Sequence, residues 1–182
     1  MIDAAKYRAI DKLKDGTPVV VRAIRPEDKD RILDAFQGLD RDSVYTRFFA
    51  YKKELTDSDL SRITGVDFEN VVALVVIIQH KDGERLIGGG RYYREAEHNS
   101  AEIAFMIVDA YHGCGGASLI LRHLTSIARA QGIRHFEAEV LARNGGMLAV
   151  FNRSGLPMKI KNEGLTVHVT LSLAHPERRD VS

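Results

Sequence analysis

Between Ala101 and Leu141 the sequence runs through a strand, a glycine-rich turn, a long amphipathic helix and a second strand. That succession restricts the fold more than any other feature of the chain. Ala101 to Val108 puts Ile103, Phe105 and Ile107 on one alternating face and Ala104, Met106 and Val108 on the other, the pattern of a strand covered on both sides. Gly115 to Gln131 places Ile120, Leu121, Leu124, Ile127 and Ala128 at helical spacing, and Gly132 is available to end the helix. Phe136, Ala138 and Val140 then alternate with Glu137 and Glu139. A strand–helix–strand unit joins its two strands in parallel.

The flanking segments supply the rest of a sheet. Val19 to Ile24 reads as a strand, and Pro26, Glu27 and Asp28 open a helix that runs to about Gln37. Two short helices are expected over Asp40–Ala50 and Thr56–Ile63, the second with a capped start at Thr56. Val71 to Ile78 is a continuous apolar run, and an Asp82-Gly83 turn returns the chain over Arg85–Arg94. Gly146 to Ser154 is a shorter helix stopped by Gly155. Strands near Met158–Lys161 and Leu165–Leu173 are joined by Asn162-Glu163-Gly164. The expectation is one α+β domain over residues 1–182, with residues 1–16 as an N-terminal extension and 175–182 as a tail. Its sheet of about seven strands is mostly antiparallel, with the parallel unit in its middle and helices on both faces.

Composition removes several function classes. Lys and Arg number 26 against 25 Asp and Glu, a net charge of +1, which gives no long-range pull toward nucleic acid or an anionic membrane. No run approaches the roughly 18 apolar residues of a membrane span, and the N-terminus lacks a signal-peptide core, so a cytoplasmic protein is expected. Cys114 is the single cysteine, which rules out an internal disulfide and a cysteine zinc site. The seven histidines are scattered, and no metal is expected.

The sharpest local signal is Tyr111-His112-Gly113-Cys114-Gly115-Gly116-Ala117-Ser118. Its glycines let a ligand approach the main chain, and the helix that follows offers free N–H groups and partial positive charge. Phosphate oxygens suit such a site, although a tight turn with no ligand reads the same way. A nucleotide P-loop would need a Gly-Lys-Ser/Thr ending, whereas Gly115-Gly116-Ala117-Ser118 has no lysine. In a dinucleotide fingerprint frame, Ser118 occupies the third glycine position.

At these residues the chain resembles the GCN5-related N-acetyltransferase (GNAT) superfamily, whose signature is Gln/Arg-x-x-Gly-x-Gly/Ala at a helix start. Here the frame reads His112-x-x-Gly115-x-Ala117. The resemblance runs from about Leu13 to Leu173 and looks nearest to bacterial protein-lysine acetyltransferases. It is carried there by Leu13-Lys14-Asp15-Gly16, Ile24-Arg25-Pro26-Glu27-Asp28, Ser43 to Phe49, Ala101 to Phe105, and Ala138 to Asn144 with Met147. The resemblance implies acetyl-CoA as co-substrate, seated where the Ala101–Val108 and Phe136–Leu141 strands splay. It gives Met106, Ile107 and Val108 backbone pairing with the pantetheine arm. It also assigns the pyrophosphate to the loop around His112, Gly113, Cys114, Gly115, Gly116, Ala117 and Ser118, and a cofactor contact to Asn144. The motif's usual glutamine or arginine is His112 and the common basic residue two positions later is Cys114, so a fixed positive charge is missing and weaker cofactor binding is expected.

An amine attacks a thioester only as the free base, and at neutral pH under about one lysine ammonium in a thousand is deprotonated. A base and oxyanion donors are therefore needed. Glu102 is the only ionisable residue within Ala101–Val108 and stands before the splay. The resemblance makes it the general base, with burial expected to raise its pKa. The competing reading is a strand-end carboxylate in water or beside Arg91. No tyrosine follows Asn144 to act as acid; that helix holds Phe151. Glu137 and Glu139 form an acidic strand edge able to attract a cationic amine. Phe48 and Phe49 read as core, and Arg22, Arg25, Arg178 and Arg179 as surface charge.

The leading function is transfer of acetyl to an amine, foremost a protein lysine, with acyl-CoA synthetases as targets implied by the resemblance. A small-amine acceptor and a non-catalytic acyl-CoA-binding module are the alternatives. A homo-oligomer stays open, and no fused cyclic-nucleotide-binding or synthetase-like domain is expected in these 182 residues.

Overall fold

A computed structural model describes residues 1–39 and 54–174. The helix expected over Asp40–Ala50, the residues Phe48 and Phe49, and the 175–182 tail with Arg178 and Arg179 lie outside the described residues. Eight strands form one sheet: β1 (Arg8–Lys12), β2 (Pro18–Ala23), β3 (Val71–His80), β4 (Gly83–Glu95), β5 (Ser100–Ile107), β6 (His135–Leu141), β7 (Met158–Asn162) and β8 (Thr166–Ser172). Their order is β1-β2-β3-β4-β5-β6-β8-β7. Among the described residues, four α-helices pack on it: α1 (Lys29–Gln37), α2 (Asp57–Thr64), α3 (Gly116–Ala130) and α4 (Gly145–Arg153).

The sheet has one strand more than expected. β1 lies within the supposed N-terminal extension and pairs antiparallel with β2 from Arg8↔Arg22 to Lys12↔Pro18. Its sequence, Arg-Ala-Ile-Asp-Lys, has no apolar alternation to announce a strand, and Ile10 is exposed. Charged, poorly buried residues are what an edge strand uses to discourage further pairing.

A second difference is at Arg22, expected on the surface. It is buried, and its guanidinium donates to both carboxylate oxygens of Asp28 at 2.7 and 2.8 Å. Asp28 also accepts the Arg25 N–H at 2.8 Å, so Pro26–Asp28 forms a 3₁₀ turn and α1 begins only at Lys29. Burial raises the Asp28 pKa, but the hydrogen bonds from Arg22 and Arg25 and the charges of Arg22 and Arg31 outweigh it and hold the carboxyl below its ordinary range. At α2 the expected cap is present: Thr56 and Asp59 exchange reciprocal bonds of 3.1 and 3.0 Å.

The sheet divides two apolar layers. α3 buries Ile120, Leu124 and Ile127 completely against Val72, Leu74, Phe105 and Phe136, with Phe151 of α4 packed on Phe105. The stripe read from the sequence is this contact face. α1 and α2 cover Ala73, Val75 and Ile77 on the other side. Three glycines in β4 allow the close approach. A Cβ on Gly90 would stand 2.6 Å from Ile120 Cγ2 and 2.9 Å from Phe105 Cδ1, and one on Gly88 would stand 2.6 Å from Ile107 Cδ1.

What positions the site is the register of the one parallel pair. β5 and β6 pair only at Ser100↔His135, Ala101↔Phe136 and Glu102↔Glu137, and beyond those rungs they part. Two-sided cover of β5 is incomplete: Ile103 and Phe105 are buried, Ala104 and Met106 half-buried, and Glu102 exposed.

Candidate active site

Past the last parallel rung, a cleft of ≈ 400 Å³ opens between β5, the loop before α3, and the start of α4. The loop has its shape because Gly113 and Gly115 adopt φ of +75° and +88°, in the left-handed region that other residues avoid. Gly115 caps α3 with no side-chain hydrogen bond. The first helical bond is Leu119 N–H to Gly115 C=O at 3.0 Å. The N–H groups of Gly116, Ala117 and Ser118 thus have no helical acceptor, and these three residues line the cleft. Across the cleft, the Asn144 Oδ1 accepts the Met147 N–H at 3.1 Å and caps α4.

Of the residues expected to hold cofactor, Met106, Ile107, His112, Gly113, Gly115, Gly116, Ala117, Ser118 and Asn144 all line this cleft. Val108 and Cys114 do not. Val108 packs in the second apolar layer and its N–H already donates to Ile87 C=O at 2.9 Å. Cys114 is half-buried against the main core. Alternation along an antiparallel edge turns the groups of Phe105 and Ile107 toward the splay. The Ile107 carbonyl is in contact with His112 Nε2 at 2.9 Å, so the signature histidine is folded back onto β5.

Sequence reasoning missed the source of positive charge. Lys14, Arg143 and Arg153 line the cleft, and no carboxylate does among the described residues. The motif's lost cation is offset by cations from the β1–β2 turn, the loop after β6 and the end of α4. The signal lay in Leu13-Lys14-Asp15-Gly16 and in Arg143 next to Asn144. Free N–H donors with three cations suit a polyanion, and an apolar wall of Phe105, Leu141 and Val150 suits an uncharged arm.

Alternation puts Glu102, Glu137 and Glu139 on the opposite face of the sheet from Phe105 and Phe136. There Glu95, Glu102, Glu137 and Glu139 line a second concavity with His98, His135 and His168, and among the described residues it contains no lysine or arginine. His168 bridges Glu139 (Nδ1 to Oε1, 2.5 Å) and Glu137 (Nε2 to Oε2, 2.6 Å), and Thr170 Oγ1 donates to Glu137 at 2.7 Å. The Glu139 hydrogen bond raises the His168 pKa most; burial opposes it, and the bond and charge of Glu137 add to the rise. Glu102 is exposed at the edge of this basin, so the burial expected of a base is not present in the described residues. Arg91, diagonally across on β4, senses its charge, while burial and Arg62 lower the Arg91 pKa. Tyr111 lines the cleft beside the loop, and Phe151 is fully buried core.

Comparison with known proteins agrees with this geometry. The family model described as "Acetyltransferase (GNAT) domain" matches residues 19–157. Acetyltransferase PA5475 of Pseudomonas aeruginosa is 32% identical over 139 residues, covering 76% of this chain and 74% of that protein. Acetyltransferase Pat of Mycolicibacterium smegmatis is 28% identical over 146 residues, 79% of this chain but only 43% of that longer protein. The crystal structure of the GNAT domain of S. lividans PAT superposes with a TM-score of 0.80 at 34% identity, covering 91% of this chain and 96% of that one. The chain belongs to the GNAT acetyltransferase family, whose members take their acetyl group from acetyl-CoA.

Proposed function

We propose that this domain acetylates a protein lysine held at the acidic basin, using acetyl-CoA bound in the cationic cleft and Glu102 as general base. The observation that supports this best is the separation of charge about one splay. Three cations and uncapped N–H groups lie on one side of it, and four glutamates on the other. Acetyl-CoA supplies a thioester carbonyl that an amine can attack. The N–H groups of Gly116, Ala117 and Ser118 suit its diphosphate, and Phe105, Leu141 and Val150 suit its pantetheine arm.

A lysine ammonium entering the basin meets Glu102, Glu137 and Glu139. Opposite charge raises its local concentration, but it must lose a proton before it reacts. Glu102 stands on the last rung before the strands part, opposite Glu137, and is the carboxylate of β5 that accepts that proton. CoA thiolate is a fair leaving group, consistent with a helix α4 that carries Phe151 and no tyrosine. The basin is a sheet surface with exposed Glu102 and Tyr93, a shape that suits a side chain presented by a folded partner. The similarity to proteins named Pat points the same way.

The test is Glu102→Gln. It is expected to lower kcat by about 100-fold or more while leaving CoA affinity unchanged. Unchanged turnover would remove Glu102 from the mechanism. In a CoA-release assay, lysine-bearing proteins are expected to outperform free polyamines and amino acids; the reverse order would assign a small-amine acceptor.

A further inference from the structure

The signature position, glutamine or arginine in the family's motif, is His112 here, and its ring is engaged with the Ile107 carbonyl. We propose that Lys14, reaching over from the β1–β2 turn, binds the diphosphate of acetyl-CoA in its place; this rests on the reading of the cleft given above.

The turn holds Lys14 at the loop. Leu13 is buried, its N–H donates to Thr17 C=O at 3.0 Å, and Gly16 N–H donates to Leu13 C=O at 3.0 Å. The adjacent acid, Asp15, is occupied in accepting the Thr17 N–H at 2.9 Å. Lys14 is fastened to the phosphate loop itself, because its own N–H donates to Cys114 C=O at 3.0 Å. Its stem crosses Gly115: Cγ, Cδ and Cε stand 3.0, 3.5 and 3.5 Å from where a Cβ on that residue would be. Gly115 is thus glycine for two reasons, its φ of +88° and the lysine lying over it.

The ammonium group forms no ion pair among the described residues, whereas Lys6 and Lys161 each stand within 4.0 Å of a local carboxylate. Among the described residues, the cleft wall beneath Lys14 has no carboxylate to compete for it. A lysine ammonium beside uncapped helix N–H groups adds a mobile point charge to fixed donors, and charge-assisted bonds to phosphate are stronger than neutral ones. The edge strand β1 therefore has a role beyond completing the sheet: it carries the turn that closes one rim of the cleft.

The experiment is calorimetric titration of the wild type, Lys14→Met and Lys14→Arg with CoA, dephospho-CoA and pantetheine. Dephospho-CoA keeps the diphosphate but lacks the 3′-phosphate, and pantetheine lacks both. Lys14→Met is expected to weaken CoA and dephospho-CoA alike by about tenfold, with pantetheine unaffected and Lys14→Arg close to wild type. Wild-type affinity of Lys14→Met for CoA would overturn the proposal. A loss seen with CoA but not dephospho-CoA would overturn the assignment to the diphosphate, and an equal loss with pantetheine would mean damage to the loop. A wild-type protein that binds no CoA would overturn the reading of the cleft and this inference with it.

Discussion

The two concavities beside the β5–β6 splay differ in how they are made. The cleft over α3 is built from backbone: two glycines at positive φ, an uncapped helix start and an asparagine-capped helix opposite, with cations at the rim. The basin on the other face is built from side chains on a flat sheet, with glutamates held apart by a histidine. A domain with net charge +1 thereby presents a cationic wall and an acidic wall on the two faces of the sheet beside one splay. Net charge hides such an arrangement, because opposite local fields cancel in the sum.

The widest separation should come from charge reversal in the basin. Glu137→Lys with Glu139→Lys is expected to raise the amine KM by about tenfold or more and to leave CoA affinity unchanged, as read by steady-state kinetics and calorimetry. A parallel loss of CoA affinity would mean that the two walls are not independent.

A second contrast concerns rigidity. Gly90→Ala adds one carbon that meets Ile120 and Phe105 under the cleft, and it is expected to cost about 1–3 kcal/mol in denaturant unfolding. Glu102→Gln, on the open face, is expected to stay within about 0.5 kcal/mol. Equal effects would contradict a packed cleft side and an open basin side.

A smaller effect concerns pH. His168 has a raised pKa in the folded state, so the stability that its bridge contributes is complete below its ordinary value of about 6.5. That contribution is lost as pH rises through the raised value. The melting-temperature gap between wild type and His168→Gln should therefore be widest in mild acid and shrink on the alkaline side. A gap that widened with rising pH would contradict the bridge.

Much of this was legible in the sequence, for identifiable reasons. The α3 stripe, the Asp82-Gly83 turn and the apolar β3 run are dictated by periodicity and local turn chemistry, and nine of the expected cofactor residues line one cleft. What stayed hidden depends on distant partners. β1 forms only because β2 offers an edge. Arg22 is buried only because Asp28 folds back to meet it. Lys14 joins the glycine-rich loop through a bond to Cys114, a hundred positions along the chain. Cys114 and Val108 turned away because neighbours in the core and in β4 claimed them.

The central claim is that cofactor and acceptor approach the splay from oppositely charged walls. Amide chemical-shift mapping by NMR tests it most directly, with acetyl-CoA and a lysine-containing peptide titrated separately. The account predicts that acetyl-CoA moves the amides of Gly113, Gly115, Gly116, Ala117 and Lys14, and that the peptide moves those of Glu102, Glu137, Glu139 and His168. Acetyl-CoA shifts centred on the glutamates, or loop amides unmoved at saturation, would contradict it.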